Sequence, residues 1–222
     1  MILVECIAVI DVGTSSMRGI LYDGEPNPVF LRQSPYTPNF LTPELVEQDP
    51  LTWKQSLVSI LKELADYAAE HSIKISAISL TSQRSSLIPV DREGNPLHHA
   101  VMWQDKRTVP ICEELSSLDQ EVFLLTGAKI NPVFTATKIT WLHRNRPEIF
   151  EKAYKTLVVP DYLNHVMTKE YRTDETYGSR SLMMNIRTRQ WDRRLLEIFE
   201  ADEEKLCELV PPLSAAYPAE KR

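Results

Sequence analysis

Asp11 ends an apolar run, Ile7-Ala8-Val9-Ile10, and is followed by Val12 and then by Gly13, Thr14, Ser15, Ser16 and, after Met17, Arg18. A carboxylate, a glycine, several hydroxyls and a guanidinium in so short a span suit polyphosphate chemistry. Gly13 lacks the Cβ that would hold a phosphate off the backbone, and Thr14 and Ser15 add hydroxyl donors beside backbone N–H groups. Asp11 could hold Mg²⁺ through a water, and Arg18 could neutralise phosphate charge. The competing reading is an ordinary tight turn with a solvated Asp, because short Gly-rich patterns recur by chance.

Two apolar stretches further on also end in polar residues. Ile75 to Leu80 runs into Thr81-Ser82-Gln83-Arg84, and Ala100-Val101-Met102-Trp103 into Gln104-Asp105-Lys106-Arg107. In open α/β sheets ligands gather at such strand ends. The adjacent His98-His99 pair is read as a loop, since neighbouring residues rarely face one ion and no third ligand is spaced nearby.

The elements that must position these residues follow from periodicity. A second apolar run, Gly19-Ile20-Leu21-Tyr22, makes Ile7 to Asp23 a hairpin, and Val29-Phe30-Leu31 starts a third strand. Pro35 to Pro43 reads as loop. Asp49 and Pro50 supply an N-cap and a first helical position. Trp53, Leu57, Ile60, Leu61, Leu64 and Ala68 then share one face of a helix reaching about His71, which makes Trp53 a core residue. Ile75–Leu80 reads as a buried strand, Ser86–Val90 as extended, and Arg92–Pro96 as a turn. Helices are expected over Arg107–Leu118, Phe134–Asn145 and Asp192–Phe199, and a short one capped by Asp161 through Met167. Thr156–Val159 and Ser181–Ile186 read as strands, with Met183-Met184 as strand core. The residues after Val210 form an unpatterned, proline-containing tail, so the domain is read as 1–210 with 211–222 outside it.

Composition narrows the class. The 222 residues can bury a substantial core, and 43% hydrophobic with 25% charged residues is ordinary for a soluble globular chain. A net charge of −6 without a basic block disfavours nucleic acid and membrane surfaces as partners. Cys6, Cys112 and Cys207 are odd in number and far apart, as reduced thiols of a cytoplasmic protein would be. The start MILVECIAVI lacks a basic n-region and contains Glu5, so it reads as a strand, and no segment approaches the ~20 apolar residues of a membrane span.

Taken in order, the landmarks resemble the FGGY carbohydrate kinases, most closely the glycerol kinases among them. Asp11-Val12-Gly13-Thr14-Ser15-Ser16-Met17-Arg18 is similar to the family's first phosphate loop. Val46-Glu47-Gln48-Asp49-Pro50 with Trp53, Ser82-Gln83-Arg84 and Trp103 to Thr108 follow in the family's order. Thr135 to Leu142 looks like the first family signature; Thr173-Asp174, Gly178-Ser179-Arg180, Asn185-Ile186 and Trp191-Asp192 complete the series. The resemblance implies a ribonuclease H-like, actin-like α/β fold with a mixed sheet flanked by helices, of which this chain would be the N-terminal lobe.

It also implies an ATP-dependent phosphorylation of a sugar or polyol hydroxyl. Asp11 would serve Mg²⁺–ATP, with Gly13, Thr14, Ser15 and Arg18 near the transferred phosphate. Gln83, Arg84 and Trp103 would face a small sugar or polyol. A polyol needs hydrogen-bond donors for its hydroxyls, which Arg84 offers, and a wall for its carbon face, which Trp103 offers. The bland alternatives are a structural salt bridge for Arg84 and a core aromatic for Trp103. The family's general base, an Asp in a Gly-Asp-Gln-like motif, is expected beyond Arg222, in a protein about twice this length. Asp161 and Asp174 are then left as caps or turn residues.

Two departures bear on the substrate. Glycerol kinases follow Gln-Arg with Glu, where this chain has Ser85, and carry Tyr where it has Val133. A pocket that lacks that carboxylate and phenol makes glycerol doubtful and leaves room for a larger polyol, a pentose or hexose derivative, or a signalling sugar such as autoinducer-2. Two rival functions remain: another actin-like ATPase, and a non-catalytic sugar-binding module. A homodimer is left open.

Overall fold

The computed structural model describes residues 4–212 and 214. Strands β1 (Val4–Val12), β2 (Ser16–Tyr22), β3 (Phe30–Pro35), β4 (Asn39–Phe40) and β5 (Val46–Gln48) precede helix α1 (Pro50–Glu70). Then follow β6 (Ile73–Ser82), β7 (Ile88–Val90), β8 (Ala100–Val101), α2 (Val109–Glu114), α3 (Asp119–Thr126), α4 (Thr135–Asn145) and α5 (Pro147–Lys152). The last part holds β9 (Lys155–Leu157), α6 (Val159–Thr168), β10 (Arg172–Asp174), α7 (Glu175–Gly178), β11 (Met184–Asn185), β12 (Gln190–Trp191), α8 (Arg193–Ile198) and β13 (Glu208–Val210). The described residues divide into two compact units. The first runs to Pro38 and adds Leu51–Gln83; the second takes Asn39–Pro50 and everything from Arg84 onward.

The first unit is a sheet in the order β3-β2-β1-β6. β1, β2 and β3 form the antiparallel meander that three successive strand signals predict, and β6 lies parallel to β1. Alternation puts Cys6, Ala8, Ile10 and Val12 of β1 with Met17 and Leu21 of β2 on one buried face. Helix α1 turns Trp53, Leu57, Ile60, Leu64 and Ala68 inward, all of them buried, at roughly 1.5–3 kcal/mol for each large side chain. Gly19 is what lets the helix seat, because a Cβ there would stand 2.2 Å from Ile60 Cγ2. Trp53 meets Tyr36 edge-on with ring centroids 6.5 Å apart, a core contact as expected.

The strand read over Ile75–Leu80 is real but longer, and it is not buried. Ala77, Ile78 and Ser79 are exposed, because β6 stands at the end of the strand order with its far edge unpaired among the described residues. The Pro35–Pro43 loop also needs correction, since Asn39–Phe40 pairs with Val46-Glu47 as β4.

The second unit combines its helices with short two- and three-stranded ladders, β4-β5-β8, β7-β9, β10-β13 and β11-β12. Its core joins Leu87, Val101, Val122, Phe134, Ile139 and Phe199. Helix α4 spans nearly the stretch its pattern indicates, whereas the helix read over Arg107–Leu118 stops at Glu114 and passes through a 3-10 turn, Ser116–Leu118, into α3. α3 and α5 were not anticipated. The strand read over Ser181–Ile186 shrinks to Met184–Asn185, with Met183 and Met184 both buried. The strand read over Thr156–Val159 ends at Leu157, because Pro160 opens α6. Asp174 and Asp192 cap α7 and α8 through backbone N–H groups. All three cysteines are free, and Pro211, Pro212 and Ser214 are the only tail positions among the described residues.

Asp161 lies inside α6 and not before it: its carboxylate reaches back to accept the Val158 N–H at 3.2 Å. Burial pushes its pKa up to about 7 against the opposing hydrogen bonds from Thr173 and Val158. The folded chain therefore keeps a proton that the unfolded chain, with an ordinary Asp near ~4, gives up. That contribution is fully present below about pH 4 and is lost as pH rises to about 7, with a limiting slope of about 1.4 kcal/mol per pH unit. Asp161→Asn keeps the acceptor and should flatten this limb. In urea unfolding at successive pH values, the variant should gain on the parent between about pH 4 and about pH 7 and hold its gain above; parallel curves would refute the assignment.

Candidate functional site

In the first unit the chemistry-bearing turn joins β1 to β2. The antiparallel register sets Asp11 opposite Arg18, and Arg18 Nη1 lies 3.1 Å from Asp11 Oδ2. Both side chains are more than a third exposed, so this pair adds little to stability and stays within reach of solutes. The Gly13 N–H donates to the Ser16 carbonyl at 2.9 Å and closes the turn. Tyr36 braces it from below: its hydroxyl donates to the Gly13 carbonyl at 2.7 Å, and its N–H to the Ser15 carbonyl at 2.9 Å. Burial raises the Tyr36 pKa and keeps that hydroxyl a donor. A Cβ on Gly13 would sit 3.2 Å from the Ser16 carbonyl oxygen, so the turn has little slack.

β6 carries Thr81 beside Asp11, and the Gln83 N–H extends the ladder to the Val12 carbonyl at 2.8 Å. Asp11, Gly13, Thr14, Ser15, Arg18 and Gln83 thus share one end of the sheet. The Gln83 amide is buried, and neither Oε1 nor Nε2 has a hydrogen-bond partner among the described residues. Leaving such a group unmet costs about 1–3 kcal/mol, which is a reason to expect a ligand there. No group of three or more His, Cys, Asp or Glu suited to a metal occurs among the described residues. Asp11 alone fits a cation that takes one carboxylate and completes its shell with phosphate oxygens and water, the habit of Mg²⁺.

In the second unit the chain leaves Gln83 through Arg84, Ser85 and Ser86. Arg84 places its guanidinium carbon 5.7 Å from the centroid of the Tyr177 ring and has no carboxylate partner among the described residues, so the salt-bridge reading falls away. Ser85 is buried in the left-handed region at φ +68, and its hydroxyl donates to the Arg180 carbonyl at 3.3 Å. Ser86 Oγ accepts the Trp103 N–H at 3.0 Å. Trp103 stands in the turn after β8 and is 38% exposed, which a core aromatic would not be.

That turn is pinned by a buried charge cluster. Asp105 accepts the Val46 N–H at 2.7 Å and the Arg107 N–H and Nε at 2.8 Å each. Arg107 also reaches Glu47 at 2.8 Å and lies 4.5 Å over the Trp141 ring. The Gln104 side-chain oxygen, between Trp103 and Asp105, is buried without a partner among the described residues. The segment holding Val133 is fixed by Lys138, whose Nζ donates to the carbonyls of Pro132 (2.7 Å), Val133 (2.9 Å) and Phe134 (3.3 Å). Burial lowers the Lys138 pKa to about 7, with the Asp105 charge opposing.

The structure therefore groups the phosphate-type residues and Gln83 in the first unit, and Arg84 and Trp103 around the Ser85-Ser86 pair in the second. Tyr177, Arg180, Asp105 and Lys138 are neighbours that sequence reasoning left without a role. Gly178-Ser179-Arg180 was visible as a landmark, and a lysine in the middle of an otherwise apolar and hydroxyl-bearing helix face was the available signal for Lys138.

Residues 6–216 match the FGGY family of carbohydrate kinases, N-terminal domain. A glycerol kinase of Shewanella woodyi is 34% identical over 220 residues, covering 95% of this chain and 44% of that protein. The crystal structure of Plasmodium falciparum glycerol kinase with ADP superposes at TM-score 0.93 with 30% identity, over 98% of this chain and 45% of that one. Gluconate kinase from Lactobacillus acidophilus gives TM-score 0.90 with 26% identity, over 97% and 44%. The chain spans less than half the length of these relatives. Because the match spans nearly the whole chain, the chain belongs to the FGGY family of carbohydrate kinases, of which it carries the N-terminal domain.

Proposed function

We propose that this chain is the sugar-binding half of an ATP-dependent kinase that phosphorylates a hydroxyl of a sugar or polyol. The observation that carries the reading is the buried Gln83 amide with neither polar atom satisfied, next in the chain to Arg84. In this reading Gln83 and Arg84 orient substrate hydroxyls, and Trp103 lies against the carbon face. Arg18 offsets charge on the transferred phosphoryl group, and Asp11 holds Mg²⁺ with the nucleotide. Mg²⁺–ATP, when bound, supplies the phosphoryl group and the cation that offsets its charge. The backbone around Gly13 admits phosphate oxygens because no Cβ stands there. No residue of this chain is assigned as the proton acceptor, since Asp161 and Asp174 serve helix termini.

Saturation-transfer NMR on the chain with a pool of polyols, pentoses and hexoses tests this directly. At least one compound should show transfer that Trp103→Ala abolishes. Silence across the pool, or signals untouched by the substitution, would overturn the sugar-site reading.

A further inference from the structure

His165, in the last turn of α6, is 5% exposed, and neither of its ring nitrogens has a hydrogen-bond partner among the described residues. A neutral imidazole carries one N–H donor and one bare acceptor. A proton would add a second donor and a charge, with nothing there to receive either. The ring lies flat on Tyr171, with centroids 4.0 Å apart and planes 10° from parallel. Its other neighbour is the backbone of Gly94, where a Cβ would collide with Nε2 and Cδ2. Gly94 stands at φ +82, so glycine serves both the conformation and the close approach.

Gly94 belongs to a turn, residues 91–95, that closes on its own atoms. The Asp91 carboxylate accepts the N–H groups of Glu93 (3.0 Å) and Asn95 (2.8 Å), and the Gly94 N–H donates to the Asp91 carbonyl at 3.1 Å. The turn is thus a preformed cap, seated on the His165–Tyr171 stack and met there by the Tyr171 hydroxyl, 3.4 Å from the Asp91 and Arg92 carbonyls. The charged and titratable groups around the ring are Lys169 and Asp161 of α6, Glu170 after it, Asp91, Arg92 and Glu93 of the turn, and Tyr171 with Tyr154 behind it. Burial and then the Lys169 charge lower the His165 pKa; the backbone of Glu170, Glu93 and Lys169 pulls the other way without reaching hydrogen-bond geometry. The seat therefore holds above the ordinary histidine value of ~6.5 and weakens as pH falls below it. At Asp91 burial is outweighed by hydrogen bonds from Asn95, Glu93 and Gly94, which keep its carboxyl below the ordinary range, so the turn retains its own shape in that window.

We propose that His165 is the pin of an acid-released latch. In its neutral form the ring seats turn 91–95 on the second unit; a proton on it drives the ring from that seat and frees the turn, while the rest of the unit stays folded. Asp161, on the same helix, adds stability toward acid, so a loosening of the turn at low pH has the opposite sign to its effect.

An NMR titration of the chain from about pH 8 to about pH 4.5 tests it. At the alkaline end the Gly94 α-protons, set against the ring, should show a nuclear Overhauser cross-peak to it. The His165 ring should take its proton with a midpoint below the ordinary ~6.5, and the cross-peak should fade along the same curve. Over that range the open turn should gain about tenfold per pH unit, while the signals of α4 keep their dispersion. His165→Gln should remove the pH step at Gly94 and Asn95, and Gly94→Ala should free the turn even above about pH 7. A cross-peak that survives protonation of the ring would overturn the latch, as would a ring that titrates at ~6.5 with the turn unmoved. Loss of the α4 dispersion together with the turn would overturn it too, since the event would then be global unfolding. These outcomes are all read in the parent chain, so the test stands if either variant fails to fold.

Discussion

Asp105→Ala should destabilise the second unit by about 3–5 kcal/mol and weaken sugar binding as well. The Asp105 carboxylate is fully buried and accepts from the Val46 N–H and from three nitrogens of Arg107. Its removal leaves Arg107, whose side chain is 7% exposed, with Glu47 as its remaining carboxylate, and leaves the Val46 N–H unmet. Breaking a buried pair from one side is costly because the surviving charge stays in a poorly polarisable place. Asp105→Asn retains the shape and part of the hydrogen bonding, so it should lose less. The cluster anchors the turn that presents Trp103, so the sugar signal should fall with stability even though Asp105 need touch no sugar. Urea unfolding would read the first effect and saturation transfer the second; a loss under ~1 kcal/mol would mean the cluster is not what holds the turn.

Gly19→Val should be comparably severe in the first unit, for the opposite reason. There the fault is excess volume: the first added carbon would stand 2.2 Å from Ile60 Cγ2 and 3.2 Å from Leu64 Cδ1. Either α1 lifts from the sheet or β2 bends, at an expected cost of about 3 kcal/mol or more. Gly19→Ala combined with Ile60→Ala separates crowding from any loss of backbone freedom. The second change removes the colliding branch, so the double variant should recover part of the Gly19→Ala loss, a non-additivity of about 1 kcal/mol or more. Strict additivity would refute the steric account.

Where the chemistry of the chain is local, it could be read without coordinates. The hairpin around Asp11 announced itself by two apolar runs and a small-residue turn, and α1 by a stripe that no strand could share. Asp192 and Asp174 cap helices because short carboxylates at those positions meet free N–H groups of the chain just ahead. What stayed hidden depends on distant partners. Asn39–Phe40 is a strand because Val46-Glu47 lies opposite, and two residues among prolines are too short a run to show alternation in the sequence. The helix read over Arg107–Leu118 took in the 3-10 turn at Ser116–Leu118 because no Gly or Pro marks the break, and α3 beyond it was not read, whereas α5 did carry a Pro147 signal. In the candidate site, Gln83, Arg84 and Trp103 stood out as polar or aromatic residues at strand ends. Arg180 and Tyr177 did not, since only the folded chain brings residues so far along beside Ser85.

The exposure of β6 has a consequence for handling the chain in solution. Ile73–Ser82 is a ten-residue strand rich in isoleucine, free of proline and glycine, and charged only at Lys74, which Glu5 neutralises. Such a segment, with one edge unpaired among the described residues, is a template on which another extended chain can add by backbone hydrogen bonds alone. Concentrated stocks are therefore open to strand-to-strand aggregation at this edge.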